Sequence, residues 1–208
     1  MDMIAIIDYD AGNVKSVEKA LHYLGQDAVL TRDYEILLRA DKVILPGVGN
    51  FGDAMMRLEE YGLVEVIHKI VEQGTPFLGI CLGQQLIFDS SDEAPGVKGL
   101  GLLPGTYHKL PDSEKRQVPQ IGWNDLKFPN AGDLFAGIPE HSYVYFVHSY
   151  YLDTPDPSII TATCEYGVTV GASVQKKNIY ACQFHPEKSS EVGLQILRNF
   201  ISLTGGTK

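Results

Sequence analysis

Residues 77–88 read Phe-Leu-Gly-Ile-Cys-Leu-Gly-Gln-Gln-Leu-Ile-Phe, an apolar run followed by a Gly-Ile-Cys-Leu-Gly junction and then a helix-like spacing. That order is the layout of a nucleophile elbow with Cys in place of Ser. The turn from strand to helix is so tight that the central residue takes a strained backbone. The residues two before and two after it, Gly79 and Gly83, lie against each other. A chain with this junction needs a sheet whose strand feeds a helix at its carboxyl end. The elbow lifts the Cys81 sulfur above the sheet edge at a helix N-terminus, where the dipole and free N–H groups favour thiolate over thiol.

A base partner is legible near the end of the chain. Ile179-Tyr180-Ala181-Cys182-Gln183-Phe184-His185-Pro186-Glu187 delivers His185 after a strand-like segment, with a carboxylate two residues later. His185 can take the thiol proton and return it to a leaving amine. Glu187 can hold the imidazole tautomer and stabilise the imidazolium. A third feature is Pro46-Gly47-Val48-Gly49-Asn50-Phe51-Gly52 after the strand-like 42–45. Such a loop can offer backbone N–H groups, that of Val48 first and Gly49 beside it, to an oxyanion also bound by the N–H of Leu82.

Hydropathy spacing gives alternating elements in the first half: strands at 3–7, 28–31, 42–45 and 77–80, and helices at 13–24 and 53–73. The first strand reads as central. The second helix is broken near Gly62, with Asp53 as its N-cap. This βαβ order implies a parallel sheet with right-handed crossovers and a crevice at the carboxyl ends of its strands. The second half reads as shorter, antiparallel strands at 107–110, 143–151, 159–166, 170–175 and 179–184, then a helix at 191–203. Residues 112–116 read as an exposed hairpin or loop. The expected fold is three-layer α/β: a parallel or mixed central sheet flanked by helices, with extra antiparallel strands in the C-terminal half.

Composition sets limits. At 208 residues with 44% hydrophobic and 21% charged side chains, the chain suits one domain spanning 1–208. A formal net charge of -9 argues against a nucleic-acid partner. No apolar run approaches the roughly 20 residues that span a bilayer, and the start lacks a basic flank, so a cytoplasmic location is expected. Three separated Cys, at 81, 164 and 182, suggest free thiols in a reducing compartment. No His/Cys cluster has metal-ligand spacing and no Walker-type loop occurs, so no metal or cofactor is expected.

The Cys elbow and the His-Pro-Glu segment resemble those of the class I (triad) glutamine amidotransferases, over nearly the whole chain. The Pro46-Gly47-Val48-Gly49 loop resembles the glutaminase subunits of imidazole glycerol phosphate synthases in particular. So do Asp8-Tyr9 with Gly12-Asn13, the segment 94–100, Gln120-Ile121-Gly122-Trp123-Asn124 and Tyr145-Phe146-Val147-His148-Ser149-Tyr150. Gln84 and Asn50 depart from the pattern, the first standing where Met is common and the second where a small residue is usual.

The resemblance implies a glutaminase with Cys81, His185 and Glu187 as catalytic residues. L-glutamine would be held by Gly47, Gln85, Glu93, Ser149 and Tyr150. It further implies a (β/α)8-barrel cyclase partner in a heterodimer, docked against Asn13, Trp123 and Tyr145. Other readings are a different class I glutaminase, of the pyridoxal phosphate synthase type, or a stand-alone thiol hydrolase or idle binding module.

Overall fold

The computed structural model describes residues 2–112 and 116–204. The elements in chain order are β1 (Ile4–Ile7), α1 (Val14–Tyr23), β2 (Ala28–Thr31), α2 (Tyr34–Arg39), β3 (Lys42–Leu45), α3 (Phe51–Glu60), α4 (Leu63–Glu72), β4 (Phe77–Ile80) and α5 (Leu82–Leu86). They continue with β5 (Ser90–Ser91), β6 (Thr106–Lys109), β7 (Gln120–Asp125), β8 (Tyr143–His148), β9 (Tyr150–Asp153), β10 (Ile160–Glu165), β11 (Thr169–Lys176), β12 (Ile179–Cys182) and α6 (Ser190–Ser202).

A seven-stranded sheet in the order β10-β11-β12-β4-β3-β1-β2 forms the middle layer. The strands from β12 to β2 are parallel, and β11 and β10 add antiparallel pairing at one side; the segment 179–184, expected among the antiparallel strands, thus joins the parallel set through β4 and is antiparallel only toward β11. Apart from the edge strand β2, where Val29 and Leu30 are exposed, the parallel strands are buried on both faces, which is why they read as continuous apolar runs. Their side chains still alternate. Ala5, Ile7, Val43, Leu45 and Phe77 join one core with α2, α3 and α4. Ile4, Ile6, Ile44, Leu78 and Ile80 join the other with α1 and α6. The architecture is the expected three-layer α/β fold with a mixed sheet.

Several local expectations are corrected. β1 lies inside the sheet but next to its edge, and the centre falls to β4 between β12 and β3. The helix at 53–73 does break at Gly62, whose φ of 64° suits glycine, but Asp53 is not its cap. Asn50 is, its side chain accepting from the N–H groups of Gly52 and Asp53 at 2.8 and 3.2 Å. The strand expected at 143–151 is two strands, β8 paired with β7 and β9 with β6, parted at Ser149. Helix α2, capped by Asp33, and strand β7 were not expected as such. Within the stretch 112–116, residues 113–115 lie outside the described residues.

Gln84, one of the two departures from the family pattern, is fully buried on α5. Its Nε2 donates to the Tyr107 hydroxyl at 2.8 Å and to the Gly171 carbonyl at 3.1 Å, tying the elbow helix to β6 and β11. Its Oε1 has no hydrogen-bond partner among the described residues. Gln84→Met relieves that one orphan and creates two, so it should destabilise the fold by about 1–3 kcal/mol. Adding Tyr107→Phe should recover part of the loss, as read in a urea double-mutant cycle. An unchanged midpoint for Gln84→Met would show that the two bonds contribute nothing net.

Candidate active site

Neighbouring parallel strands bring the distant motifs together. β4 and β12 pair in register with Ile80 opposite Cys182, and the N–H of Cys81 donates to the Cys182 carbonyl at 2.8 Å. The chain leaving β4 therefore presents Cys81 beside the segment Gln183–His185 leaving β12. β3, on the other side of β4, ends in the Pro46–Gly49 loop at the same edge.

Cys81 has φ 54° and ψ −108°, the strained conformation that the elbow reading requires. A Cβ on Gly79 would sit 2.7 Å from the Gly83 carbonyl oxygen, so the turn closes only with glycine there. Cys81 and His185 face one cavity of about 270 Å³. Its walls also carry Val48, Gly49, Leu82, Gln85 and Glu93. The 147–150 segment closes another side, and Pro119 and Lys188 complete it. Gly47, expected at the glutamine pocket, is not among the residues lining this cavity and instead lines a small neighbouring pocket with Asn13 and Glu187.

His185 Nδ1 and Glu187 Oε1 are 2.8 Å apart, with both side chains almost completely buried. Asn13 Nδ2 donates to the same carboxylate oxygen at 3.0 Å. Burial opposes charge on the ring, but the neighbouring Cys81 sulfur and Glu187 carboxylate outweigh it and raise the His185 pKa to about 9. The arrangement can store a proton on the imidazole beside a sulfur anion. The other two thiols are unsuited to such chemistry. Burial pushes Cys164 up to about 12, and Cys182 well above the ordinary range.

The oxyanion donors take a specific conformation here. The N–H of Leu82 donates to the Gly47 carbonyl at 3.3 Å. The Gly47–Val48 peptide is planar, and its C=O and N–H point in opposite directions. With the carbonyl aimed at Leu82, the Val48 N–H faces away from the place an oxyanion would occupy. Gly49, at φ 112°, continues the loop in a conformation that glycine adopts freely.

Of the residues expected at the glutamine pocket, Gln85, Glu93, Ser149 and Tyr150 all line the cavity. One oxygen of Glu93 accepts from the Phe51 N–H at 2.8 Å, which holds the carboxylate at the wall. His148 is buried, and desolvation pulls its pKa down to about 4, leaving a neutral ring. Its Nδ1–H donates to the Tyr150 carbonyl at 2.8 Å. The structure sets Gln120 Oε1 2.8 Å from Nε2; a neutral ring with its proton on Nδ1 must accept there, so we assign the Gln120 amide the flipped way, with its NH2 toward the ring. Of the expected interface residues, Asn13 binds Glu187 of the site itself, while Trp123 and Tyr145 pair edge-on at 5.9 Å on β7 and β8.

Sequence reasoning missed Gln183, whose Nε2 lies 3.8 Å from the Cys81 sulfur. A signal was available: in an extended segment, the residue two before His185 faces the same side. Pro119 was also missed, because it reaches the cavity from a turn far away in sequence.

The glutamine amidotransferase class-I family matches residues 5–203. This chain belongs to that family. Among its relatives, imidazole glycerol phosphate synthase subunit HisH of Bacillus cereus is 52% identical, covering 95% of this chain and 93% of that protein. The protein of the same name from Moorella thermoacetica is 50% identical, over 96% and 94% of the two chains. That of Methanocaldococcus jannaschii is 49% identical over 97% of this chain and 100% of its own. The amidotransferase fold is also seen in the crystal structure of a glutamine amidotransferase with a TM-score of 0.74 at 22% identity, covering 95% of this chain and 96% of that one. A glutamine amidotransferase from Thermotoga maritima has a TM-score of 0.62 at 16% identity, covering 96% and 82%.

Proposed function

We propose that this chain is the glutaminase subunit of an imidazole glycerol phosphate synthase. It hydrolyses L-glutamine to glutamate and ammonia, and the ammonia passes to a separate cyclase subunit in histidine biosynthesis. The observation that carries this reading is identity of about 50% to HisH subunits across nearly the full length of both chains. The chain acts as one domain over 1–208. Among the described residues no helix is long and apolar enough to cross a membrane, and the protein works in the cytoplasm.

In this reading Cys81 attacks the side-chain amide carbon of glutamine, and the oxygen becomes an oxyanion bound by Leu82 and Val48 N–H groups. His185, held by Glu187, protonates the departing ammonia. Water then attacks the thioester with His185 as base, releasing glutamate. Glu93 pairs with the substrate ammonium, and Gln85, Ser149, Tyr150 and Gly47 hold the rest of the amino-acid end. Ammonia that escaped into water would be protonated and lost as a nucleophile, so docking against the cyclase must shield its path.

The docking face is the outer side of the β7–β8 hairpin. Cross-strand register puts Ile121, Trp123, Tyr143 and Tyr145 on that one side. Ile121, Trp123 and Tyr143 are 62%, 51% and 57% exposed, too much apolar surface for a plain core hairpin. Asn13, the residue that precedes α1, lies beside Glu187. Titrating the chain with the (β/α)8-barrel cyclase should shift the emission of Trp123, the only tryptophan. Trp123→Ala should weaken assembly by about 30-fold, the scale of one aromatic anchor, with little change in stability. An unaltered spectrum and unaltered affinity would remove this face from the interface, and failure of any cyclase to bind would remove the assignment.

A further inference from the structure

We infer that Gln183 is a thiolate-stabilising donor to Cys81, held in its working orientation by Gln85. This rests on the reading of Cys81 as the nucleophile. Gln183 is fully buried, and its own N–H donates to the Ala172 carbonyl at 2.9 Å, which fixes the chain between β12 and His185. Its Oε1 accepts from Gln85 Nε2 at 3.1 Å. That bond decides which end of the amide faces the sulfur: the NH2 points at Cys81 Sγ, 3.8 Å away. Turning the Gln183 amide over would set its NH2 against the NH2 of Gln85, two donors with no acceptor between them.

A neutral thiol is a weak acceptor and a thiolate a strong one, so this donor stabilises the ionised form more than the neutral form. It opposes a second contact. The Cys81 S–H can donate to the Val147 carbonyl at 3.7 Å, and that bond exists only for the thiol. Gln183 is therefore an uncharged counterweight, one that favours the anion without adding a cation to a small buried site. The titratable groups around the sulfur are His185 with Glu187 behind it, and the deeply buried Tyr9, Tyr107 and Cys182, all three held protonated by burial. Across the cavity stand Glu93, His148, Tyr150 and Lys188. The same amide pair links the sulfur to Gln85 at the substrate wall, so the orientation of the donor depends on a side chain that glutamine itself would touch.

The test is the rate of alkylation by iodoacetamide as a function of pH on the full chain, with the modified residue mapped by peptide mass. Gln183→Met keeps the length and loses the donor, and Gln183→Glu keeps the shape and replaces the donor with a carboxylate. Gln183→Met should move the half-maximal pH of Cys81 alkylation upward by about one unit, roughly a tenfold slower reaction on the acid side. Gln183→Glu should move it at least as far, and carries the test alone if the Met variant does not fold. A packing role would change the melting temperature and leave the pH profile in place. Alkylation at Cys81 with an unmoved midpoint would overturn the role of Gln183 and leave the nucleophile intact. Alkylation of the wild-type chain mainly at Cys164 or Cys182 would instead overturn the nucleophile assignment itself.

Discussion

Cys81→Ala should lower glutamine-dependent synthesis in the assembled enzyme by on the order of 10⁶-fold, the loss expected when a triad nucleophile is removed. Synthesis from added ammonium salts should continue, because the cyclase chemistry lies on the other subunit. The substitution keeps a Cβ at the elbow, so the turn at φ 54° is no more strained than before. No other thiol can take over. Cys164 and Cys182 are buried in the sheet, with burial holding both protonated. Glutamate release and product formation should be measured on one preparation, with glutamine and then with ammonium. Surviving glutamate release would remove Cys81 as the nucleophile. Loss of the ammonium-dependent reaction would show that the variant disturbs the complex rather than the thioester step.

The isolated chain should hydrolyse glutamine poorly, and cyclase with its nucleotide ligand should raise turnover by about 10²–10³, the contribution of one oxyanion donor. The physical basis is the bond from the Leu82 N–H to the Gly47 carbonyl at 3.3 Å. In that state the fixed donor is occupied and the Val48 N–H is turned away, so the tetrahedral intermediate would lack strong hydrogen bonds. Rotating one peptide plane exchanges the carbonyl for the N–H and frees Leu82 in the same movement. Gly47 takes up the change in ψ on one side of that plane at little steric cost, while the φ of Val48 turns with it on the other. The gain should fall on kcat more than on KM, since the oxyanion forms after glutamine binds. Steady-state kinetics on the chain alone, with cyclase, and with cyclase plus ligand decide the matter. Full activity in the isolated chain would mean that the hole is complete without a partner.

The parallel core was legible where its strands are short, apolar on both faces and followed by glycine or a turn. β3 and β4 are clear examples, with all their residues buried; β12 was read as antiparallel, and only its pairing with β4 makes it part of the parallel set. Helix α1 was legible from Val14, Val17, Ala20 and Leu21 on one face. Helix α2 was not, since only Leu37 of its six residues is buried and so little periodicity remains. The Asn50 cap was hidden because either Asn50 or Asp53 can accept from a helix N-terminus, and only the backbone path selects one. The break at Ser149 was hidden for a similar reason. Tyr143 to Asp153 is one continuous strand-like pattern, and the parting follows from β8 and β9 pairing with different partners.

Local stretches of the chain were enough to specify the chemistry on offer. Gly-x-Cys-x-Gly at a strand end, His-Pro-Glu at another and a Gly-rich loop at a third are patterns set by steric limits on tight turns and by side-chain reactivity. How they meet is a property of the packed molecule. The pairing of β4 with β12, with nearly 100 residues of sequence between them, puts His185 and Gln183 beside Cys81. The same packing holds Glu187 between His185 and Asn13 and decides which way the Gly47–Val48 peptide faces. Those outcomes depend on strand order, on register and on the hydrogen bonds each buried polar group must find. Such long-range constraints are written in no local stretch of residues.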